Sequence, residues 1–187
     1  MTATTQLLER IGALLQQSLR EEAARHGLLP IHGQVLRYLS RANDYSNLPA
    51  AIADYFGITR GTVSQTVAVL ERKGMIVKRT GTRNRRRVHL ELTERGRAVL
   101  EEGWADRLER APAAAGIEEP ALERTLRALL GALQADNGQR PFGVCRGCAH
   151  FIVEGENARC GLTGEPLAEA QTSGICREWT PPQIRAA

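Results

Sequence analysis

Residues 48–92 read LPAAIADYFGITRGTVSQTVAVLERKGMIVKRTGTRNRRRVHLEL, and the order of patterns in this stretch decides the fold. Pro49 suits the first turn of a short helix that runs to Phe56, because its missing N–H is not needed there. Gly57 supplies a tight turn, and Thr59 has the hydroxyl of an N-cap for a second helix over 60–72. That helix places Val63, Val67 and Leu70 on one side. Gly74 ends it. Residues 75–79 and 88–92 then alternate as half-buried strands, joined by an arginine-loaded loop. Two helices meeting at a glycine turn, followed by a hairpin, predict a winged helix-turn-helix: a mainly α fold with a small β-hairpin wing.

Charge sharpens this expectation. Between Ile58 and Arg97 there are eleven Lys or Arg against three Glu, a surplus of eight, so the rest of a chain of net charge +4 carries a deficit of four. A basic charge this local has the form of an electrostatic footprint on nucleic acid. A major groove admits one α-helix and is read by side chains near its exposed start. The candidate readers are therefore Thr59, Arg60, Thr62, Ser64 and Gln65. Arg60 has the fork geometry for a guanine edge, Gln65 the amide for adenine, and the hydroxyls can hold phosphate or read either base. Arg83, Arg85 and Arg86 belong to the loop that would lie along the backbone or enter a narrow minor groove. Arg87 is the arginine expected to brace the strand instead.

Outward from this stretch the pattern is helical. Residues 5–26 carry Leu7, Leu8, Ile11, Leu14, Leu15 and Leu19 near helical spacing, and Gly27 stops the run. Pro30 opens a second helix that turns Val35, Leu36 and Leu39 inward, and 43–47 is a polar loop. Thr93 opens a fifth helix expected to reach about residue 110, with a break over 112–116. Leu122, Leu126, Leu129, Leu130 and Leu133 mark a sixth helix over 118–134. The first and last helices display more leucine than a small winged core can cover. Apolar stripes of that size tend to be interfaces, which predicts a homodimer; packing on each other within one chain is the alternative. After residue 136 helical periodicity fades and Gly, Pro and Cys become frequent. The expected organisation is a winged helix-turn-helix and dimerisation domain over 1–135, a linker over 136–143, and a small irregular four-cysteine module over 144–187.

With those residues in view, the stretch from about 5 to 135 resembles the MarR family of bacterial transcription regulators. The resemblance rests chiefly on ITRGTVSQTVAVLERKGMIVKR followed by RNRRRVHLELTERG. It implies six helices, a winged core, a dimer interface built from the first and last helices, and a homodimer on a palindromic double-stranded operator. Such proteins usually act as repressors.

All four cysteines of the chain lie in the last module: Cys145-x2-Cys148, then eleven residues to Cys160, then fifteen to Cys176. A two-residue gap lets both thiolates of one turn reach a common centre, and the later pair closes the site from separate loops. A module this small lacks the core to be stable without a staple, and thiolates are soft ligands for a metal. Zinc in a tetrahedral four-thiolate site is one candidate; a [4Fe–4S] cluster, which also takes four cysteines, is another. Reactive thiols or disulfides are a third reading. The segment CRGCAHF…ARCGLTGEPLAEAQTSGICREW is similar to the cluster-binding part of high-potential iron–sulfur proteins, which implies the cluster, with Phe151 and Trp179 shielding it. Zinc stays the alternative, although a zinc ribbon would normally show a second Cys-x2-Cys knuckle and none is present. His150 is expected to face solvent or stand behind the sulfurs.

No apolar run approaches the roughly 18 residues of a membrane helix, and the N-terminus lacks the pattern of a secretory signal. A cytoplasmic protein is expected, where stable disulfides are uncommon. No nucleophile–base pair, Gly-rich phosphate loop or carboxylate pair is visible, so an enzyme is not expected. The leading expectation is a regulator whose operator affinity follows an iron–sulfur cluster sensing redox state, oxygen, nitric oxide or iron. The others are a regulator with a structural zinc site and a small-molecule effector, and a redox or electron-transfer protein.

Overall fold

The structure, a computed structural model, describes residues 2–80, 87–101, 103–155 and 157–182. Helix α1 (Ala3–Arg25) is capped by Thr2, whose hydroxyl accepts from Thr5 N–H. Helix α2 (Pro30–Arg41) follows, then α3 (Pro49–Phe56) and α4 (Arg60–Arg72). Both α2 and α3 begin on a proline, as predicted from sequence. Gly57, between α3 and α4, takes φ +62°. A side chain there would meet both the left-handed backbone penalty and the Gln139 amide, 2.7 Å from an added Cβ. Strands β1 (Ile76–Thr80) and β2 (Val88–Leu92) pair antiparallel with Ile76 opposite Leu92, which forms the wing's base.

One apolar core joins these elements. Leu36, Ile52, Leu70, Ile76, Leu90, Val35 and Val63 are fully buried within it, and Ala23, Leu28, Tyr38, Leu39, Ala53, Val67, Met75, Leu92 and Val99 complete it. Helix, turn and wing therefore share a single hydrophobic centre. Burying each of these aliphatic side chains is worth about 1.5–3 kcal/mol.

The single helix expected over 93–110 is two: α5 (Glu94–Ala98) and α6 (Trp104–Ala114). The cause is a tertiary contact invisible to local periodicity. Glu22 of α1, only 6% exposed, accepts from Trp104 N–H at 2.9 Å and so satisfies the start of α6. Its other carboxylate oxygen pairs with Arg37 of α2 at 2.8 Å, and the Arg37 guanidinium lies 5.2 Å from the Trp104 ring centroid. A buried carboxylate with both a hydrogen-bond donor and a cation thus clamps α1, α2 and α6. The break expected at Pro112 also moves: Pro112 sits inside the last turns of α6, which ends at Ala114.

Helix α7 (Glu119–Asp136) buries none of its residues. Leu126, Leu130 and Leu133 on it, and Leu7, Ile11 and Leu14 on α1, stay about half exposed. Neither leucine stripe is therefore covered within one chain. Beyond α7, Phe142 is buried and meets Tyr55 of α3 edge-on, with ring centroids 5.1 Å apart.

The module expected to be irregular contains short strands. β3 (Gly143–Val144) pairs antiparallel with β7 (Ile175–Cys176), and β4 (Phe151–Glu154), β5 (Asn157–Cys160) and β6 (Pro166–Leu167) form an antiparallel sheet in that order. A short helix α8 (Glu169–Thr172) precedes β7. Strands of two to four residues are too short for alternation to show in sequence. Among the described residues no helix is long and apolar enough to cross a membrane.

Candidate nucleic-acid interface and four-cysteine site

Helix α4 separates its faces cleanly. Val63, Thr66, Val67 and Leu70 are buried, whereas Thr59, Arg60, Thr62, Ser64 and Gln65 are all exposed. The Thr59 hydroxyl accepts from Thr62 N–H at 3.1 Å, which satisfies one of the otherwise unpaired donors of the helix start. The same hydroxyl lies 2.9 Å from that of Thr62. The helix N-terminus faces solvent with its partial positive charge and Arg60 beside it, an arrangement that favours phosphate.

The basic residues are not equivalent. Lys78 is paired with Glu71 at 2.7 Å and Arg79 with Glu91 at 3.4 Å, so part of the local surplus is neutralised. Arg60 has no ion-pair partner among the described residues. Arg83, Arg85 and Arg86 lie outside the described residues. Arg87, at the foot of the wing, is exposed and lines a cleft with Pro49 and Ala50 of α3 and Glu178 of the module.

The four cysteines come from three separate parts of the module and face one cleft. Cys145 and Cys148 flank a single 3-10 turn, in which Cys148 N–H donates to Cys145 O at 3.0 Å. Cys160 ends β5, opposite Phe151 of β4. Cys176 ends β7, opposite Gly143. The cleft they line is narrow, and Tyr45, His150, Phe151, Thr163 and Glu178 complete its wall. All four thiols are free. Trp179 packs against Cys145 and Cys176, and its Nε1 donates to Gly147 O at 2.9 Å. His150 is half-buried and part of the lining.

Among the described residues no three Cys, His, Asp or Glu side chains stand at the spacing of a closed metal set. The electrostatics of the cleft matter. Burial pushes the Cys145 thiol up to about 11, with the neighbouring Cys176, Cys148 and Cys160 adding to the rise. Burial also raises Cys176, against which the Asn43 side chain and the Glu178 backbone N–H pull down. Cys148 sulfur accepts from Thr180 N–H at 3.4 Å. Four sulfurs in one cleft repel one another as thiolates, so the charged form requires a cation among them. The donor set fits a soft, thiolate-bound metal or cluster.

The module is fastened to the winged core by contacts that sequence reasoning missed. Arg177 pairs with Asp54 of α3 at 2.6 Å, and its backbone N–H donates to Ser46 Oγ at 2.8 Å. Asn43 N–H donates to Ile175 O at 3.0 Å. Tyr45 OH donates to Glu165 Oε2 at 2.6 Å. The only local signal for these residues is the polarity of the 43–47 loop, which by itself reads as solvated surface.

Comparison with known proteins gives a consistent picture of the fold. A sequence model of the MarR family matches residues 26–87, a stretch that contains α2, α3, α4 and β1 and ends just before β2. The chain is similar to MepR of S. aureus in its DNA-binding conformation, with 22% identity, a TM-score of 0.61, and coverage of 72% of this chain and 98% of that one. It is similar also to the transcription regulator MarR from Oenococcus oeni PSU-1, at 16% identity and TM-score 0.58, covering 70% and 98%. The S. aureus MepR–DNA complex gives 20% identity and TM-score 0.54, covering 72% and 99%. No curated protein matches the chain. At these identities the likeness establishes the winged-helix fold.

Proposed function

We propose that this protein is a homodimeric DNA-binding transcription regulator, a repressor, whose hold on a palindromic operator depends on a metal centre bound by Cys145, Cys148, Cys160 and Cys176. The observation that carries the DNA reading is the division of α4, whose polar face stands wholly in solvent on a winged-helix frame. The family match and the likeness to a MepR structure solved with DNA support it. The uncovered leucines of α1 and α7 support the dimer. Two-fold symmetry would set two recognition helices about 34–36 Å apart, one DNA turn.

In this reading Arg60 and Gln65 read base edges while Thr59, Thr62 and Ser64 take phosphate or base contacts. The arginines at 83, 85 and 86 follow the backbone or the minor groove. The convergence of four free thiols supports the metal centre. A [4Fe–4S] cluster is the preferred occupant, with Phe151 in the cleft wall and Trp179 behind Cys145 and Cys176 as apolar cover. Such a cluster supplies a redox-sensitive centre, through which oxygen, nitric oxide or iron supply would be sensed. Zinc is the second reading, favoured by the closed Cys145–Cys148 turn with backbone N–H donation to sulfur, and would act as a structural staple.

The test has two arms. Anaerobically purified protein is assayed for iron, sulfide and zinc; brown protein with iron and sulfide supports the cluster, colourless protein with one zinc per chain supports the staple. Binding is then measured against fragments of the host chromosome at low ionic strength, with Arg60→Ala expected to lose about 1–3 kcal/mol on the best fragment. Failure to retard any fragment sinks the regulator reading.

A further inference from the structure

The 43–47 turn, Asn-Asp-Tyr-Ser-Asn, joins α2 to α3 and touches the cysteine site on one side and the DNA-reading unit on the other. Asn43 is 1% exposed. Its Oδ1 accepts twice, from Tyr45 N–H at 3.1 Å and from Ser46 Oγ at 2.9 Å. Its Nδ2 is buried with no hydrogen-bond partner, on a residue whose backbone N–H donates at 3.0 Å to the carbonyl of Ile175, the neighbour of Cys176 in β7. A buried amide donor left unpaired costs about 1–3 kcal/mol. A neutral thiol is a poor acceptor for it; a metal-bound thiolate is a good one, since hydrogen bonds to charged acceptors are roughly twice as strong.

Close packing fixes the amide there. Ala42 bridges Ile175 in parallel pairing, and a Cβ at Gly174 would lie 2.9 Å from Asn43 Cβ, so only glycine lets the two backbones meet. From the turn, contacts run onward in two directions. Ser46 Oγ holds Arg177 N–H, and Arg177 grips Asp54 of α3. Asn47 O accepts from Leu90 N–H at 2.8 Å, and Asn47 Oδ1 lies 2.6 Å from His89 Nδ1, both on the wing strand β2.

We infer that Asn43 is a positioning residue for the thiolate site: its Nδ2 donates to the Cys176 sulfur when that sulfur carries a metal, and its Oδ1 holds the turn that links this bond to α3 and to the wing. The inference rests on the reading of the four cysteines as a thiolate-bound metal site. It predicts that metal loading firms the helix-turn-helix and the wing base through Asn43, with no ligand contact to either.

Co²⁺ titration into the reduced, metal-stripped full-length chain tests it, read by the sulfur-to-cobalt charge-transfer band and by amide exchange at Asn47, Ile52 and Leu90. Asn43→Asp keeps an acceptor for Tyr45 and Ser46 but removes the donor. It is expected to shift the band and weaken cobalt binding by about 10–100-fold, and to erase the loading-dependent protection of Leu90. Ser46→Ala leaves the sulfur bond intact, so it should keep the wild-type band and affinity while losing the protection at Ile52; this variant carries the test if Asn43→Asp does not fold. A wild-type band and affinity in Asn43→Asp, or full protection in Ser46→Ala, overturns the inference alone. Absence of a thiolate band in the wild-type chain overturns the metal reading and the inference with it.

Discussion

The winged core and the cysteine module are held together by different physics. The core buries leucine, isoleucine and valine from α2, α3, α4, β1 and β2 around one centre, with Leu36, Ile52, Leu70 and Leu90 inaccessible to water. The buried set of the module is Cys145, Leu167, Cys176 and Trp179, half of it thiol. A region whose interior is sulfur gains little from apolar burial and much from a cation that binds those sulfurs. On the proposed metal reading, one part of the chain is folded by apolar burial, while the other would depend on the ion its cysteines bind.

Cys145→Ser should show this contrast at its greatest. Binding free energy at a structural four-thiolate site is of order 10 kcal/mol, so the variant should lose the module's fold while the helical core stays folded, its melt lowered only by the contacts the module made with it. Limited proteolysis that leaves the 144–182 segment as resistant as in the wild type would end the comparison. The converse variant, Ile52→Ala, should cost the core about 2–5 kcal/mol through a cavity. Denaturant unfolding followed by helical signal checks this, and metal stoichiometry should not change. Arg177→Ala removes a half-buried ion pair between the regions. Its expected cost is about 1–2 kcal/mol, seen in calorimetry as two separated transitions where the wild type gives one.

The smallest effect lies in the core at His32. Burial lowers its pKa below the ordinary 6.5, with the Lys73 charge adding to the shift. Its Nδ1 accepts from Leu29 N–H at 3.1 Å at the start of α2. The folded state therefore resists protonation more than the unfolded chain does. The stability His32 contributes is complete above pH 6.5 and declines as the pH falls from there toward the lower folded value. His32→Gln should flatten that decline in urea midpoints measured from pH 7 to 5; an unchanged slope would assign the pH dependence elsewhere.

The same contrast explains what the sequence made legible. Proline starts, the Gly57 turn, the Thr59 cap and the spacing of Val63, Val67 and Leu70 are local signals, and α2, α3, α4 and the hairpin follow from them. The split between α5 and α6 follows from Glu22, eighty-two residues before Trp104, and no local period carries that. The cysteines announce a common site by residue type and spacing, but the strands that present them are too short to alternate. Asn43, Tyr45, Ser46, Asp54 and Arg177 went unread because each acts through polar contacts with residues far away in sequence, and such contacts leave no local pattern.

Phe142 has a practical consequence. Its ring closes a row formed by Tyr38, Phe56 and Tyr55 at the back of the helix-turn-helix. Shortening the chain at the end of α7 would strip that lid and open the aromatic row to water. A version trimmed to the length of its shorter structural counterparts would carry an exposed aromatic patch, and its tendency to aggregate would be an artefact of the cut.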